Sequence, residues 1–250
     1  MKFFYQSGAM GYGDGWFWHE YCKPFPKYPV VTKTLTLMPK KGKPWAILWL
    51  PFFGKSSWNK VSLHNPGFLN WKRDVRFDKK KYKNLKNVIV SIHGPDDDIQ
   101  LMCELLDELP IKGIELNYSC PNVKNEKNKS LPNSPHDLYL KLNHTQEPFD
   151  YDLKRIKGIH VNSIPTRYGG ISGQAAKKKN WEFIRWYNAY YDRYLHKYCS
   201  MSGCSWTSIA DLFTLRDMGC TSIGIGSQML TMPNLVREIP KHFGYEKDKI

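Results

Sequence analysis

The run Gly113-Ile-Glu-Leu-Asn-Tyr-Ser-Cys-Pro-Asn122 gathers two carboxamides and a thiol at the end of one β-type segment. Apolar and polar residues alternate through Ile114, Glu115, Leu116 and Asn117, the pattern of a strand. Pro121 cannot donate to a ladder, so the strand stops and the chain turns there. Asn117 and Asn122 can each donate and accept, which suits an edge of alternating carbonyl and N–H groups such as the imide of a pyrimidine. Cys120 between them is placed to accept a proton. A free cysteine is more often a small buried hydrophobe, and that reading suits the other five, at 22, 103, 199, 204 and 220. The Asn-x-x-Cys-Pro-Asn setting is what sets Cys120 apart.

Two lysines stand out for similar reasons. Lys33 ends the β-branched run Val31-Thr32-Lys33-Thr34, and Lys141 sits inside the apolar strand Leu138–Leu142. An ammonium among strand residues should face an anion or an electron-rich atom. Near the carboxyl end, Ser202-Gly203 and Gly226-Ser227 each follow a strand and precede a helix. Backbone amides at such turns can hold a phosphate, and in an eight-stranded barrel that site lies after the last two strands. The glycine-rich segment Gly169–Gly173, including Gly170, reads as a third loop that lets backbone approach a flat ligand closely.

The elements that must position these groups alternate β-type runs with amphipathic helices, the pattern of a parallel α/β fold. Val88–Ile92 reads as a buried strand. A helix from Asp96 to Leu109 puts Ile99, Met102, Cys103 and Leu106 on one face, with three aspartates at its start and Pro110 at its end. Further strands are expected at Leu138–Leu142, at Gly158–Asn162, just before Ser202-Gly203, and at Cys220–Gly226. Helices are expected at Ala175–Tyr198, at Ser208–Met218 before Gly219, and after Pro233. Between Trp16 and Asn70 the sequence offers motifs without clear elements.

Size and composition bound these expectations. A chain of 250 residues suits one (β/α)8 barrel with little left for insertions. Lys+Arg number 37 against 23 Asp+Glu, a net charge of +14. The excess favours anionic partners in general, but runs such as Lys79-Lys80-Lys81 and Lys177-Lys178-Lys179 read as solvated faces and not as a nucleic-acid motif. The six cysteines are scattered, with no zinc-type spacing, which argues for a reducing, cytoplasmic setting and against a metal centre. No apolar stretch approaches the roughly twenty residues of a membrane helix, and the N-terminus lacks the apolar core of a signal peptide.

From about its seventh residue to Met229 the chain resembles the dihydroorotate dehydrogenases, particularly the soluble class 1 enzymes with a cysteine base. The string Glu115-Leu-Asn-Tyr-Ser-Cys-Pro-Asn122 matches their Glu-Leu-Asn-x-Ser-Cys-Pro-Asn signature. Ser7-Gly8 is similar to their first strand end, Thr32-Lys33-Thr34 to their Thr-Lys-[Ser/Thr], and Asn65-Pro66-Gly67 to their Asn-Pro-Gly. Val161-Asn162-Ser163 followed by Gly169–Gly173 is similar to a strand end and loop of that family.

The resemblance implies a single FMN-binding (β/α)8 TIM barrel over residues 1–250, oxidising dihydroorotate to orotate. It assigns orotate to Asn59, Asn117, Asn122 and Asn162, with Ser163 beside the last. Flavin falls to Ser7, Gly8, Lys33, Lys141, Gly170, Ser202, Gly203, Gly226 and Ser227. Cys120 becomes the base that takes a proton from C5 while C6 gives a hydride to flavin N5, and Lys33 lies against both flavin and substrate. A homodimer is the assembly it suggests. The departures are Ser62 for a glycine, Ser202-Gly203 for Gly-Gly, and Gly226-Ser227-Gln228 for Gly-[Thr/Ser]-Ala. Added side chains thus stand at the turns expected to meet the phosphate. The segments after Asn122 and Ser163 are also short. Two other functions share these residues: a flavin- or pyrimidine-binding descendant without turnover, and a flavin reductase acting on another pyrimidine.

Overall fold

Strands β1 (Lys2–Tyr5), β2 (Val30–Val31), β5 (Val88–Ile92), β6 (Gly113–Asn117), β7 (Leu138–Leu142), β8 (Ile156–Val161), β11 (Ser200–Gly203) and β12 (Ser222–Ile225) close into a parallel barrel in a computed structural model of the chain. The structure describes residues 1–13, 25–43, 47–49, 55–60, 63–80, 82–119, 130–167, 169–194 and 200–243. β1 closes the ring by pairing with β12 on one side and β2 on the other. The expected barrel is therefore the observed one. Among the described residues no helix is long and apolar enough to cross a membrane.

The alternation read in the signature strand fixes which residues face inward. Register pairs Ser91 with Glu115, Glu115 with Tyr139, Asn117 with Lys141 and Lys141 with His160, so these side chains line one surface. Phe4, Val31 and Ile89, with Tyr139 against them, pack as a small cluster within the ring. Ile114, Leu116, Leu138, Leu140, Leu142, Ile159 and Ile223 join the larger core.

The outer layer contains α1 (Phe68–Phe77), α2 (Asp96–Leu106), α3 (Gln174–Tyr194), α4 (Ile209–Asp217), α5 (Gln228–Thr231) and α6 (Pro233–Phe243). Helix α2 buries Ile99, Met102, Cys103 and Leu106, the expected face, and stops at Leu106, before the expected Leu109. Helix α4 is capped by Ser208, whose Oγ accepts the Asp211 N–H, and ends before Gly219 at φ 91°. The barrel is minimal: between β7 and β8 the chain makes only 3-10 turns at Pro148–Asp150 and Leu153–Arg155.

Two sequence expectations need correction. Gly169–Gly173 is not a loop but strand β10, in an antiparallel sheet with β3 (Ile47–Trp49), β4 (Ser56–Asn59) and β9 (Ile164–Thr166). Its glycines admit backbone, since a Cβ at Gly169 would overlap Asn59 O and one at Gly173 would overlap Lys55 O. The stretch between Trp16 and Asn70, where no elements were legible, supplies β2, β3, β4 and the start of α1. Those strands have two to four residues, too few to show a period.

Candidate functional site

The carboxyl ends of the barrel strands carry most of the expected groups, and one chain of hydrogen bonds joins Ser7, Asn117, Asn162 and Ser163. Asn117 Nδ2, at the end of β6, donates to Thr34 Oγ1 at 2.8 Å. Thr34 Oγ1 lies 3.3 Å from Ser7 Oγ, beyond β1, and 2.9 Å from Ser91 Oγ in β5. In the other direction, Ser119 N–H donates to Asn117 Oδ1, and Asn162 Nδ2 donates to Ser119 O at 2.8 Å and Ser119 Oγ at 3.1 Å. Ser163 Oγ completes the line by donating to Asn162 Oδ1. His93 Nδ1 is 2.7 Å from Asn117 O, a bond that holds this strand end in place. Four separate strands thus deliver Ser7, Thr34, Asn117 and Asn162 to one mouth.

Lys33 stands beside Thr34, half-buried, its Nζ 5.9 Å from the centroid of the Tyr12 ring. Burial lowers its pKa from the ordinary lysine value, because a desolvated ammonium without a counter-ion favours its neutral form. The aromatic face returns only part of that cost.

Deeper in the barrel lies a charged cluster. Glu115, fully enclosed, accepts from Ser91 Oγ at 2.7 Å and meets His160 Nδ1 at 2.6 Å, with Lys141 Nζ 3.9 Å away. Burial alone would raise the Glu115 pKa. The Lys141 charge, the His160 contact and the Ser91 hydroxyl together bring it below the usual carboxylate value. The His160 ring is stacked between Phe4 and Tyr139, at 4.3 and 5.0 Å between centroids. Lys141 therefore does face an anion as expected, and that anion is Glu115. Neither Glu115 nor His160 was singled out as a site residue. The signal was there in both cases: a charged or titratable side chain at an inward register between apolar neighbours.

The turns after the last two strands are the expected phosphate site. Ser202 is buried and donates to Ile159 O at 2.9 Å. A Cβ at Gly203 would meet Ile223 Cδ1 and Leu215 Cδ1, so this glycine lets α4 pack on the barrel. The left-handed residue of the turn is Ser205, at φ 57°. In the last turn, Gly226 N–H donates to Gln228 Oε1 at 2.9 Å. Ser227 precedes α5, and its carbonyl accepts Leu230 N–H at 3.0 Å. A cavity of about 400 Å³ opens beside these turns, lined among others by Lys55, Thr207, Ser208, Thr231 and Asn234.

The remaining expected residues are more dispersed. Asn59 pairs with Gly170 across β4 and β10, and Gly170 is buried in that sheet. Gly8, at φ 89°, has open space where a Cβ would project. Cys120 and Asn122 lie outside the described residues. Helix α3 adds Asn180, which the sequence did not mark: its Nδ2 donates to Asn162 O and Ser205 Oγ, tying the mouth to the β11 turn. No group of three or more potential metal ligands exists among the described residues.

No family model matches the chain. The catalytic subunit of dihydroorotate dehydrogenase B (NAD(+)) from Thermoanaerobacter pseudethanolicus is 34% identical over 123 residues, covering 47% of this chain and 37% of that protein. The same subunit from Desulforudis audaxviator is 35% identical over 125 residues, with the same coverage of each chain. The one from Shouchella clausii is 25% identical over 222 residues, 73% of this chain and 71% of its own. The match thus spans little more than a third of the first two relatives. Two structures of DHODH from Eimeria tenella, each 13% identical, superpose with TM-scores of 0.68 and 0.70. They cover 95% and 94% of this chain and 78% and 81% of their own, and at that identity they speak for the fold. The chain is thus similar over part of its length to catalytic subunits of dihydroorotate dehydrogenase B, and it shares the barrel fold of the DHODH structures.

Proposed function

We propose that this protein is a flavin oxidoreductase that converts dihydroorotate to orotate, with FMN as its expected cofactor. The observation that carries the proposal is the polar line Ser7–Thr34–Asn117–Ser119–Asn162, with Lys33 beside it, at one barrel mouth. The ring of a flavin fits the groups present. Lys33, a half-buried cation with no carboxylate partner among the described residues, suits an electron-rich heterocycle, and the open space at Gly8 leaves room for its edge. Lys141 and Ser7 would hold the ring from the barrel side.

A bound flavin supplies the hydride acceptor for C6 of the substrate. The protein's part is to bind, orient and deprotonate. Asn117 and Asn162 present carboxamides whose donors and acceptors match the imide edge of orotate, and Asn59 and Asn122 are proposed to complete that set. Ser163 and Ser119 fix the Asn162 rotamer, and Thr34 and Ser119 fix that of Asn117. Such preset donors lower the orientational cost of reaction. Cys120 is proposed to take the C5 proton, which is acidified by the adjacent carbonyl. Lys33, drawn toward its neutral form by burial, regains a favourable partner when negative charge develops beside it.

The test is anaerobic addition of dihydroorotate to the flavin-loaded protein while the visible flavin band is followed. Bleaching is expected. Cys120→Ala should slow it by about 10²–10⁴-fold, the usual contribution of a positioned base, with flavin still bound. A loaded wild-type protein that does not bleach would remove dihydroorotate as the substrate. Unchanged reduction in C120A would remove Cys120 as the base.

A further inference from the structure

In a (β/α)8 barrel a phosphate is held by the amides of the last two β–α turns and by a short extra helix beside them. In this chain one amide of each turn is already taken by the chain's own side chains. Gly226 N–H is taken by Gln228 Oε1 at 2.9 Å, and Gln228 Nε2 donates to Trp206 O at 3.0 Å. Trp206 Nε1 in turn donates to Gly224 O at 3.0 Å. Both side chains are enclosed, Trp206 at 0% exposure and Gln228 at 3%. On the barrel side, the Gln6 carboxamide covers both glycines of β12 and its turn. A Cβ at Gly224 would overlap Gln6 Nε2, and one at Gly226 would come 2.8 Å from Gln6 Oε1. Gln6 Nε2 also reaches Val161 O at 3.4 Å, across the barrel.

The preceding turn is closed in the same way. Thr207 N–H and Thr207 Oγ1 both donate to Asp211 Oδ2, at 2.7 and 3.1 Å. A carboxylate already occupies the place an incoming anion would need, and Lys177 Nζ neutralises it at 2.8 Å. A phosphate seated here would have to displace a carboxamide from one amide and a carboxylate from another.

We propose that this chain closes its phosphate turns with Gln6, Trp206, Gln228 and Asp211, so that a flavin is held through its ring and the terminal phosphate adds nothing to binding. The inference rests on the flavin reading of the mouth and makes it more specific. FMN and riboflavin become equivalent ligands, and Gln228 is the residue that sets this lack of preference.

The experiment is a fluorescence titration of the flavin-free wild-type protein with FMN and, separately, with riboflavin. The two dissociation constants should agree within about threefold, because no charge-assisted hydrogen bond separates them. In Gln228→Ala, which frees the Gly226 amide, FMN should gain about tenfold over riboflavin, the scale of one hydrogen bond to a charged group. Wild-type FMN binding at least about 30-fold tighter than riboflavin would overturn the inference and leave the flavin reading intact. Binding of neither flavin would overturn both.

Discussion

Glu115 Oε2 and His160 Nδ1 stand 2.6 Å apart inside the barrel, with Lys141 completing the cluster from the strand between them. All three side chains come from adjacent strands at inward registers. Removing one member of such a buried group strands the others without a counter-charge. Glu115→Gln should therefore cost about 3–5 kcal/mol, measured by urea unfolding at neutral pH. The folded-state pKa of Glu115 lies below the usual 4.5, so its stabilisation is present above that value and is lost as pH falls through the folded pKa. The variant should lack that part of the acid dependence. An unfolding midpoint equal to that of wild type at pH 7 would show that the cluster contributes no net stability.

Lys33 should behave in the opposite way. Its folded pKa is lowered from 10.5 by burial, so the unfolded chain binds that proton more strongly. Stability linked to Lys33 consequently rises with pH between the folded value and 10.5. At pH 7 the charged side chain is a burden on the fold. Lys33→Met should leave the thermal midpoint unchanged or higher while greatly weakening substrate-dependent flavin reduction. A marked loss of stability would mean that the lysine serves the scaffold.

Much of this was legible because strands betray their faces. The alternation at Ile114–Asn117 announced both the barrel strand and the inward Asn117, and Lys141 among leucines announced a charged interior. The expected helix face of α2 is buried as read. What escaped was set by register and by pairing across long separations. His160 gains meaning only when β7 places it beside Lys141, and Gly169–Gly173 becomes a strand only because β4 lies against it. Gln228 stood out only as an added side chain at the expected phosphate turn, and Gln6 did not stand out at all. Their roles depend on β1 and β12 being neighbours, which needs the closed ring.

The pairing of β10 with β4 makes Gly169 a sensitive position. Its φ of 134° disfavours any L side chain, and an added Cβ would overlap Asn59 O. Gly169→Ala should cost about 1–3 kcal/mol from backbone strain alone. It should also push β4 away and shift Asn59, a proposed substrate contact. Calorimetry should show the destabilisation, and steady-state kinetics a raised KM with a smaller change in kcat. A normal KM in a folded G169A protein would remove Asn59 from the substrate set.

Cysteine reactivity separates the proposed base from the structural thiols. Burial pushes Cys103, Cys204 and Cys220 up to about 12, helped at Cys103 by Asp107 and Glu104 and at Cys220 by Cys204. At pH 8 only about one molecule in 10⁴ would carry any one of them as thiolate, the form that reacts. Iodoacetamide should leave all three unmodified in the native protein and label them once urea unfolds it. Cys120, as a base serving the mouth, should react in the native state and be protected by orotate, with peptide mass spectrometry locating the label. Protection requires both that Cys120 be accessible and that orotate occupy the space beside it. Rapid labelling that orotate does not slow would place the thiol away from the ligand, and labelling of Cys204 at a comparable rate would show that the β11 turn opens in the native protein.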